Sequence, residues 1–292
     1  GGPVRVCLIG YGLAGRIFHA PLLTAEPGMK LAAVVTGNPV RQEQVELDFP
    51  NVEVFESLPK FLGDSERFDL AVIASPTSSH TQQVLQVLGA NLDVVVEKPI
   101  SDSAAKAEQI HDLAVQTGRQ VHVFQNRRWD SDFLSLRSAI LSGAVGNPIM
   151  LESRMEFWRP VMDNSWRNSP RPGNPEGVLL DLGCHLVDQA IQLMGPVVSV
   201  CADQPALRPG AQVNDDVLVI LNHQGGASSH LVMSKAAPFQ GPRFKLVGVE
   251  GVVQVDWYDS QEGLLRESGD PASAGWGRER ASPHVRLRKF NQ

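Results

Sequence analysis

Val4-Arg5-Val6-Cys7-Leu8-Ile9-Gly10-Tyr11-Gly12-Leu13-Ala14-Gly15-Arg16-Ile17-Phe18 opens the chain. Its three glycines sit where an apolar strand gives way to a helix-forming segment. That order is the G-x-G-x-x-G turn of a dinucleotide-binding unit. Gly10 permits the tight exit from the strand, and Gly12, with no Cβ, lets a pyrophosphate approach the backbone. Gly15 lets the following helix, about 13–25, lie close to the sheet. The helix N-terminus then offers unpaired N–H groups and partial positive charge to the phosphates. A lone G-x-G-x-x-G is common in glycine-punctuated loops; the strand before it and the helix after it give this one meaning. Gly10, Tyr11, Gly12, Leu13, Ala14 and Gly15 are therefore the first cofactor-binding candidates.

Outward from that turn the alternation repeats. Lys30 to Thr36 reads as a second strand. At its end an NAD-binding fold normally carries Asp or Glu for the ribose 2′-hydroxyl. Here Thr36, Gly37, Asn38, Pro39, Val40, Arg41 and Gln42 contain no carboxylate. Thr36, Asn38 and Arg41 suit a 2′-phosphate, which favours NADP and leaves NAD as the second choice; Arg41 as a solvated helix residue is the alternative. Phe68–Ala74 and Leu92–Glu97 are nearly continuous apolar runs, as in strands buried on both faces. Between and after them lie helices of about 79–88 and, capped by Ser101 or Asp102 and stopped by Gly118, up to 117. Val121–Phe124 is the next strand. Repeated βα units of this length imply a parallel, doubly wound sheet.

The pattern changes after Gln125. A helix of about 130–142 leads into alternating strands over 149–156, 197–202, 213–221, 228–234, 244–249 and 252–257. They describe a mostly antiparallel sheet, interrupted by one helix of about 177–194. The expected fold class is thus α/β plus α+β. Its expected domains are a dinucleotide-binding domain over 1–125, a substrate and oligomerisation domain over 126–277, and an atypical basic tail over 278–292.

Bulk properties exclude several function classes. The 292 residues carry a formal charge of −6 and 20% charged residues, which argues against a nucleic-acid surface or an anionic-membrane patch. No apolar run approaches the ~20 residues of a transmembrane helix. Cys7, Cys184 and Cys201 have no metal-type spacing. They read as reduced thiols of a cytoplasmic protein, and no metal is expected.

Ligands of open α/β sheets sit beyond the carboxyl ends of the strands. Three such ends are suggestive: Ser75-Pro76-Thr77, Glu97-Lys98-Pro99 and Gln125-Asn126-Arg127. Lys98 ends a buried strand, where an ammonium is costly without a purpose; a snorkelling surface lysine is the bland reading. On the interrupting helix, Asp181 and His185 are four residues apart and share a face, with Asp188 and Gln189 one turn on. Leu179, Leu182, Leu186 and Leu193 form the apolar stripe opposite. His185 suits proton transfer during alcohol oxidation, with Asp181 fixing its tautomer. A solvated helix face with one incidental histidine explains the same residues.

Taken together, Gly10-Tyr11-Gly12…Gly15, Ala74-Ser75-Pro76-Thr77…His80, Glu97-Lys98-Pro99, Asn126-Arg127-Arg128-Trp129-Asp130-Ser131-Asp132-Phe133, Trp166-Arg167 and Asp181-Leu182-Gly183…His185-Leu186…Asp188-Gln189 resemble the Gfo/Idh/MocA oxidoreductases. Within them the set looks most like the bacterial branch containing NADP-dependent scyllo-inositol dehydrogenases. The resemblance runs to about Trp257. It implies a Rossmann domain followed by an open-faced α+β domain, and hydride transfer between NAD(P) and a secondary alcohol or carbonyl of a cyclic polyol or sugar. Lys98 matches the lysine that binds the substrate hydroxyl, His185 the acid/base and Asp181 its acidic neighbour. Ser75, Pro76, Thr77, His80, Glu97, Lys98 and Asn126 match cofactor-lining positions, and Trp166-Arg167 a segment near the nicotinamide. The resemblance also implies a cis Lys98–Pro99 bond and a homodimer or homotetramer formed through the open sheet face. Relatives usually continue beyond this length with a helix that returns to the first domain, and 278–292 does not resemble that ending. A non-catalytic NADP-binding sensor on the same fold is the reading from another class; the joint presence of Lys98, Asp181 and His185 speaks against it.

Overall fold

The computed structural model describes residues 1–162, 177–267, 269–277 and 285–290. The chain divides into two compact units, Gly1–Phe124 with Ser260–Arg278, and Gln125–Asp259 with Glu279–Gln292.

In the first unit β1 (Val4–Ile9), β2 (Met29–Val35), β3 (Glu53–Phe55), β4 (Leu70–Ile73), β5 (Asp93–Glu97) and β6 (Val121–Phe124) form one sheet. Its order is β3-β2-β1-β4-β5-β6 and every pair is parallel. The strands read as unbroken apolar runs because successive side chains feed two cores. Val6, Leu8, Val34 and Val72 belong to one cluster, and Cys7, Ile9, Ala33, Ala71 and Ile73 to another. Ile9 is in register with both Val35 and Ile73, so three strands end level where the order reverses. That reversal is where an open sheet leaves room for a ligand.

The helices are α1 (Ala20–Ala25), α2 (Pro39–Asp48), α3 (Leu58–Leu62), α4 (Thr77–Gly89) and α5 (Ala104–Thr117). The helix expected over 13–25 is in two parts: a π-helical turn, Ala14–His19, precedes α1. Pro21 has no N–H, and its ring would crowd the carbonyl of Ile17 in a regular helix. The chain widens instead, and the Ala20 N–H reaches back to Gly15 O. The cap of α5 is Ser103 rather than Ser101 or Asp102: its hydroxyl accepts from the Lys106 N–H at 3.4 Å, while Asp102 pairs with Lys106 Nζ. Gly118, at φ +67°, ends the helix.

In the second unit α6 (Ser131–Leu141) leads to β7 (Pro148–Glu156). A second π-helical turn, Leu179–Gly183, then runs into α7 (Cys184–Met194). The remaining strands are β8 (Val197–Asp203), β9 (Asp216–His223), β10 (Ser228–Ser234), β11 (Phe244–Gly248), β12 (Gly251–Val255) and β13 (Val285–Lys289). They form a sheet ordered β13-β12-β11-β7-β10-β9-β8, antiparallel except for β7 with β10. One face carries Leu151, Met155, Val219, Leu231, Met233 and Leu246, which pack with Phe133, Leu136, Leu186 and Ala190 from α6 and α7. Except for Glu156 and Ser234 at the strand ends, the alternate residues of β7, β9, β10 and β11 stay partly or fully exposed, so the sheet is open on that side.

Two segments differ from the sequence expectation. Residues 260–277, expected with the second domain, group with the first unit. There α8 (Gln261–Arg266) sets the Arg266 guanidinium 5.3 Å from the Phe18 ring centre. Residues 285–289, expected as part of a basic tail, are strand β13, registered on β12 from Val255↔Val285 to Gly251↔Lys289. Every residue of β13 is exposed, so it carries little burial signal. The open edge of β12 supplies the hydrogen bonds that order it.

Candidate active site

In the first unit the candidate residues gather at the carboxyl edge of the parallel sheet. Gly10 leaves β1 at φ +100°, and a Cβ there would lie 2.8 Å from Ala74 O; one on Gly15 would lie 2.0 Å from Gly10 O. Both positions need glycine for the turn to close at all. Gly12 is different. A Cβ there would meet only the Arg41 guanidinium, at an ordinary 3.7 Å. The protein's own packing does not require glycine at position 12, whereas a phosphate laid against the backbone would, so the turn fits a dinucleotide.

The end of β2 supplies the neighbouring wall. The Asn38 side chain caps α2, accepting from the Arg41 N–H at 3.2 Å, and Thr36 Oγ accepts from the Asn38 N–H at 3.5 Å. Thr36 and Asn38 therefore shape the turn, and exposed Arg41, beside Gly12, is its cation. Leu13 is exposed, Ala14 packs partly on the core, and Tyr11 is 2% exposed within it. The Tyr11 hydroxyl donates to Asp48 at 2.7 Å, and burial pushes its pKa up. Its ring faces the core, so Tyr11 offers a ligand its backbone and not its side chain.

The ends of β4 and β5 are braced together. Pro76 precedes α4 and Thr77 begins it, while Ser75 Oγ donates to Gln83 at 2.5 Å. The His80 ring, 1% exposed, meets Ser75 O at 3.0 Å and Pro99 O at 2.8 Å. With both nitrogens on backbone carbonyls it supports the edge from behind. The Lys98–Pro99 bond is cis, as expected. Glu97 accepts from the Lys98 N–H at 3.2 Å and meets His19 Nε2 at 3.0 Å; the His19 ring lies 4.4 Å from that of Phe124. His19 was not signalled by the sequence, because the residues that bury it come from strands about a hundred positions away.

The other candidates are in the second unit. Asp181 lies in the π-helical turn and His185, 6% exposed, in the first turn of α7. Such widened turns recur at functional sites. Facing Asp181 is a residue the sequence did not single out: Lys235 Nζ, 3.5 Å from Asp181 Oδ2. Asn126 heads a short turn, Asn126–Trp129, in this unit. Trp166 and Arg167 lie outside the described residues.

Below the helix a buried ionic network explains the Asn-Arg-Arg-Trp-Asp-Ser-Asp run. Arg243, 1% exposed, donates to Asp132 at 3.1 Å, Ser153 at 2.8 Å and Gln189 at 2.8 Å. Gln189 passes the chain on to Arg127 O at 2.8 Å, and Arg128 pairs with Asp188. A buried guanidinium needs this satisfaction, since burying a charge costs several kcal/mol. The network ties α6, β7 and β11 to the turn of α7 that follows His185. Asp130 pairs with Arg127 at 3.0 Å, yet burial pushes its carboxyl up to about 6.

Residues 4–125 match the oxidoreductase family with an NAD-binding Rossmann fold, and 133–254 match the Gfo/Idh/MocA C-terminal domain. The chain belongs to the Gfo/Idh/MocA family. It is 38% identical over 275 residues to the oxidoreductase YdgJ of Escherichia coli, covering 94% of this chain and 77% of that protein. It is 30% identical to the scyllo-inositol 2-dehydrogenase (NADP(+)) IolW of Bacillus subtilis, covering 94% and 75%. The solved oxidoreductase yvaA from Bacillus subtilis superposes with TM-score 0.92 at 29% identity, over 99% of this chain and 81% of that one. Gfo/Idh/MocA membership makes the chain an NAD(P)-dependent oxidoreductase, acting on a small molecule. Among the described residues, no helix is long and apolar enough to cross a membrane.

Proposed function

We propose that the chain is an NADP-dependent dehydrogenase oxidising a secondary alcohol of a cyclic polyol or sugar, inositol-like in class. The observation that carries this reading is Asp181, set on a widened helical turn, faced by the buried Lys235 ammonium and four residues before the buried His185. The similarity to IolW supports the polyol class and the choice of NADP; a relative named as an NAD(+) enzyme keeps NAD as the second cofactor.

In this mechanism the bound dinucleotide supplies the hydride acceptor. His185 takes the hydroxyl proton as the C–H bond breaks, and returns it in the reverse direction. Asp181 holds the imidazole in one tautomer and stabilises its cation. Lys98 binds the substrate oxygen and polarises it. Gly10, Gly12 and Gly15 with Leu13 and Ala14 cradle the pyrophosphate, and Arg41 takes the 2′-phosphate, with Thr36 and Asn38 shaping the turn. Ser75, Pro76, Thr77, Glu97, Asn126, Trp166 and Arg167 complete the cofactor walls in the same reading. A cytoplasmic homodimer or homotetramer, joined through the open sheet face, belongs to it as well.

The test is turnover of the purified chain with NADP+ or NAD+ against a panel of inositols and sugars, followed by the absorbance of the reduced nicotinamide. Oxidation of one polyol with NADP+, lost in His185→Ala, is the expected result. A panel without turnover by either cofactor refutes the proposal.

A further inference from the structure

Asp181 and His185 lie four residues apart. The structure adds a third member, and the geometry points to Lys235 as the positioning residue of that pair: its ammonium holds Asp181 in place on the helix face it shares with His185. This rests on reading His185 and Asp181 as the acid/base pair.

Lys235 immediately follows β10 and is 8% exposed. A lysine so placed is destabilising unless a counter-charge meets it, and Asp181 Oδ2 stands 3.5 Å from Nζ. Its backbone is held from both sides. The Lys235 N–H donates to Asp215 O at 2.8 Å, and Lys235 O accepts from the Arg159 N–H at 2.9 Å. Asp215 is itself immobilised, its carboxylate accepting from the Leu207 N–H at 2.7 Å and Arg208 Nε at 2.8 Å. The turn that carries Asp181 is tethered to the residue next door. Asn214 Oδ1 accepts from the Leu179 N–H at 3.1 Å, and Asn214 O accepts from the Val178 N–H at 3.0 Å, at the start of the turn that carries Asp181. One dipeptide, Asn214-Asp215, thus anchors the turn bearing the carboxylate and the strand end bearing the ammonium. Two groups 54 positions apart in sequence are set against each other by a single loop.

Around the pair stand His185 on the same helix, and Asp215, Arg208 and Arg159 on the neighbouring loop and strand end. Asp215 and Arg208 pair with each other at 2.8 Å, Arg208 also donates to Arg159 O at 2.9 Å, and the Arg159 guanidinium lies 5.5 Å over the Phe157 ring. Asp215 and Arg208 are thus engaged with each other and Arg159 lies over an aromatic ring, while the Lys235 ammonium stands against Asp181. Without it, Asp181 loses the ammonium 3.5 Å from its Oδ2, and losing a nearby opposite charge shifts a carboxyl toward its protonated form. A protonated Asp181 cannot stabilise the imidazolium, so the effect would appear in the chemical step.

The experiment compares wild type, Lys235→Met, Lys235→Arg, Asp181→Asn and the double variant Asp181→Asn/Lys235→Met. Lys235→Met should lower kcat about 10- to 100-fold with KM changed less than about threefold, and should move the acid limb of the kcat profile up by about one pH unit. Lys235→Arg should restore most of the rate and return the limb. The double variant should be no slower than Asp181→Asn, since the lysine acts through the carboxylate. Losses that multiply in the double variant, or a Lys235→Met rate and limb equal to wild type, overturn the inference while leaving the dehydrogenase reading standing. Should Lys235→Met fail to fold, a folded Lys235→Arg with a displaced limb overturns it equally. Should wild type turn over no polyol, the dehydrogenase reading falls, and ¹³C-carboxyl NMR of Asp181 decides the pair. A midpoint raised in Lys235→Met supports it, and an unmoved one overturns it.

Discussion

Arg41→Ala isolates the cofactor preference. The stretch from Thr36 to Gln42 holds no carboxylate, and Arg41 is its one charged side chain. The guanidinium lies beside Gly12, where it would be 3.7 Å from an added Cβ. A guanidinium–phosphate contact is charge-assisted and often bidentate, contributing about 1.5–3 kcal/mol. Arg41 is exposed, so solvent and salt place the effect in the lower half of that range, a rise of about 10- to 30-fold in the Kd of NADPH. NADH has no 2′-phosphate, and its Kd should change by less than about twofold. Stability should move by no more than about 0.5 kcal/mol, because the bond from the residue-41 N–H to Asn38 is kept in alanine. The assay is a fluorescence titration of both reduced cofactors at low and high salt, with the melting temperature alongside. The wild-type preference should shrink with salt and the variant's should not. An equal loss for both cofactors would show that Arg41 shapes the turn rather than reading the phosphate. Tighter binding of NADH than NADPH by wild type, by tenfold or about 1.4 kcal/mol, would end the NADP reading.

Three further outcomes are expected. His185→Ala should cut turnover ~10²–10⁴-fold with NADPH affinity nearly unchanged, and Lys98→Ala should be at least as damaging; single-turnover kinetics and titration separate the two effects. Gly15→Ala drives a methyl to 2.0 Å from Gly10 O, and neither partner is a side chain that can swing away. It should destabilise by about 1–3 kcal/mol and abolish dinucleotide binding, and a variant that melts and binds like wild type contradicts the turn geometry. Asp130 has its carboxyl raised from 3.8 to about 6 by burial, so the folded state holds a proton that the unfolded state releases. Its contribution is fully present below about 4 and lost as pH rises through about 6, a change on the order of 3 kcal/mol at most. Asp130→Asn should therefore gain stability relative to wild type across that window in denaturant titrations, and a pH-independent difference refutes it.

Much of the architecture was readable from local pattern. Apolar runs such as Phe68–Ala74 could only be strands facing two cores. Gly10, Gly12 and Gly15 could only make sense between a strand and a helix, and the alternation of β9 and β10 marked a sheet with one open face. Those signals are short-range: side chains two, three or four positions apart share a face because of the backbone's own period. The i, i+4 spacing of Asp181 and His185 is of that kind, and so is Arg41 after a strand end without a carboxylate.

What remained hidden depends on separation along the chain. Lys235 meets Asp181 through Asn214-Asp215, His19 meets Glu97 across the sheet, and Arg243 gathers Asp132, Ser153 and Gln189 from three elements. None has a spacing that a periodic reading detects. Strand β13 shows the same limit from another side, since its exposed residues carry no burial pattern and only the free edge of β12 makes them a strand. The sequence by itself determined which residues could bind phosphate, carry a proton or fill a core, because those are properties of residue type and local period. Which distant charges neutralise one another was decided only by the tertiary structure, because a buried ion is tolerated only where the fold brings its partner to it.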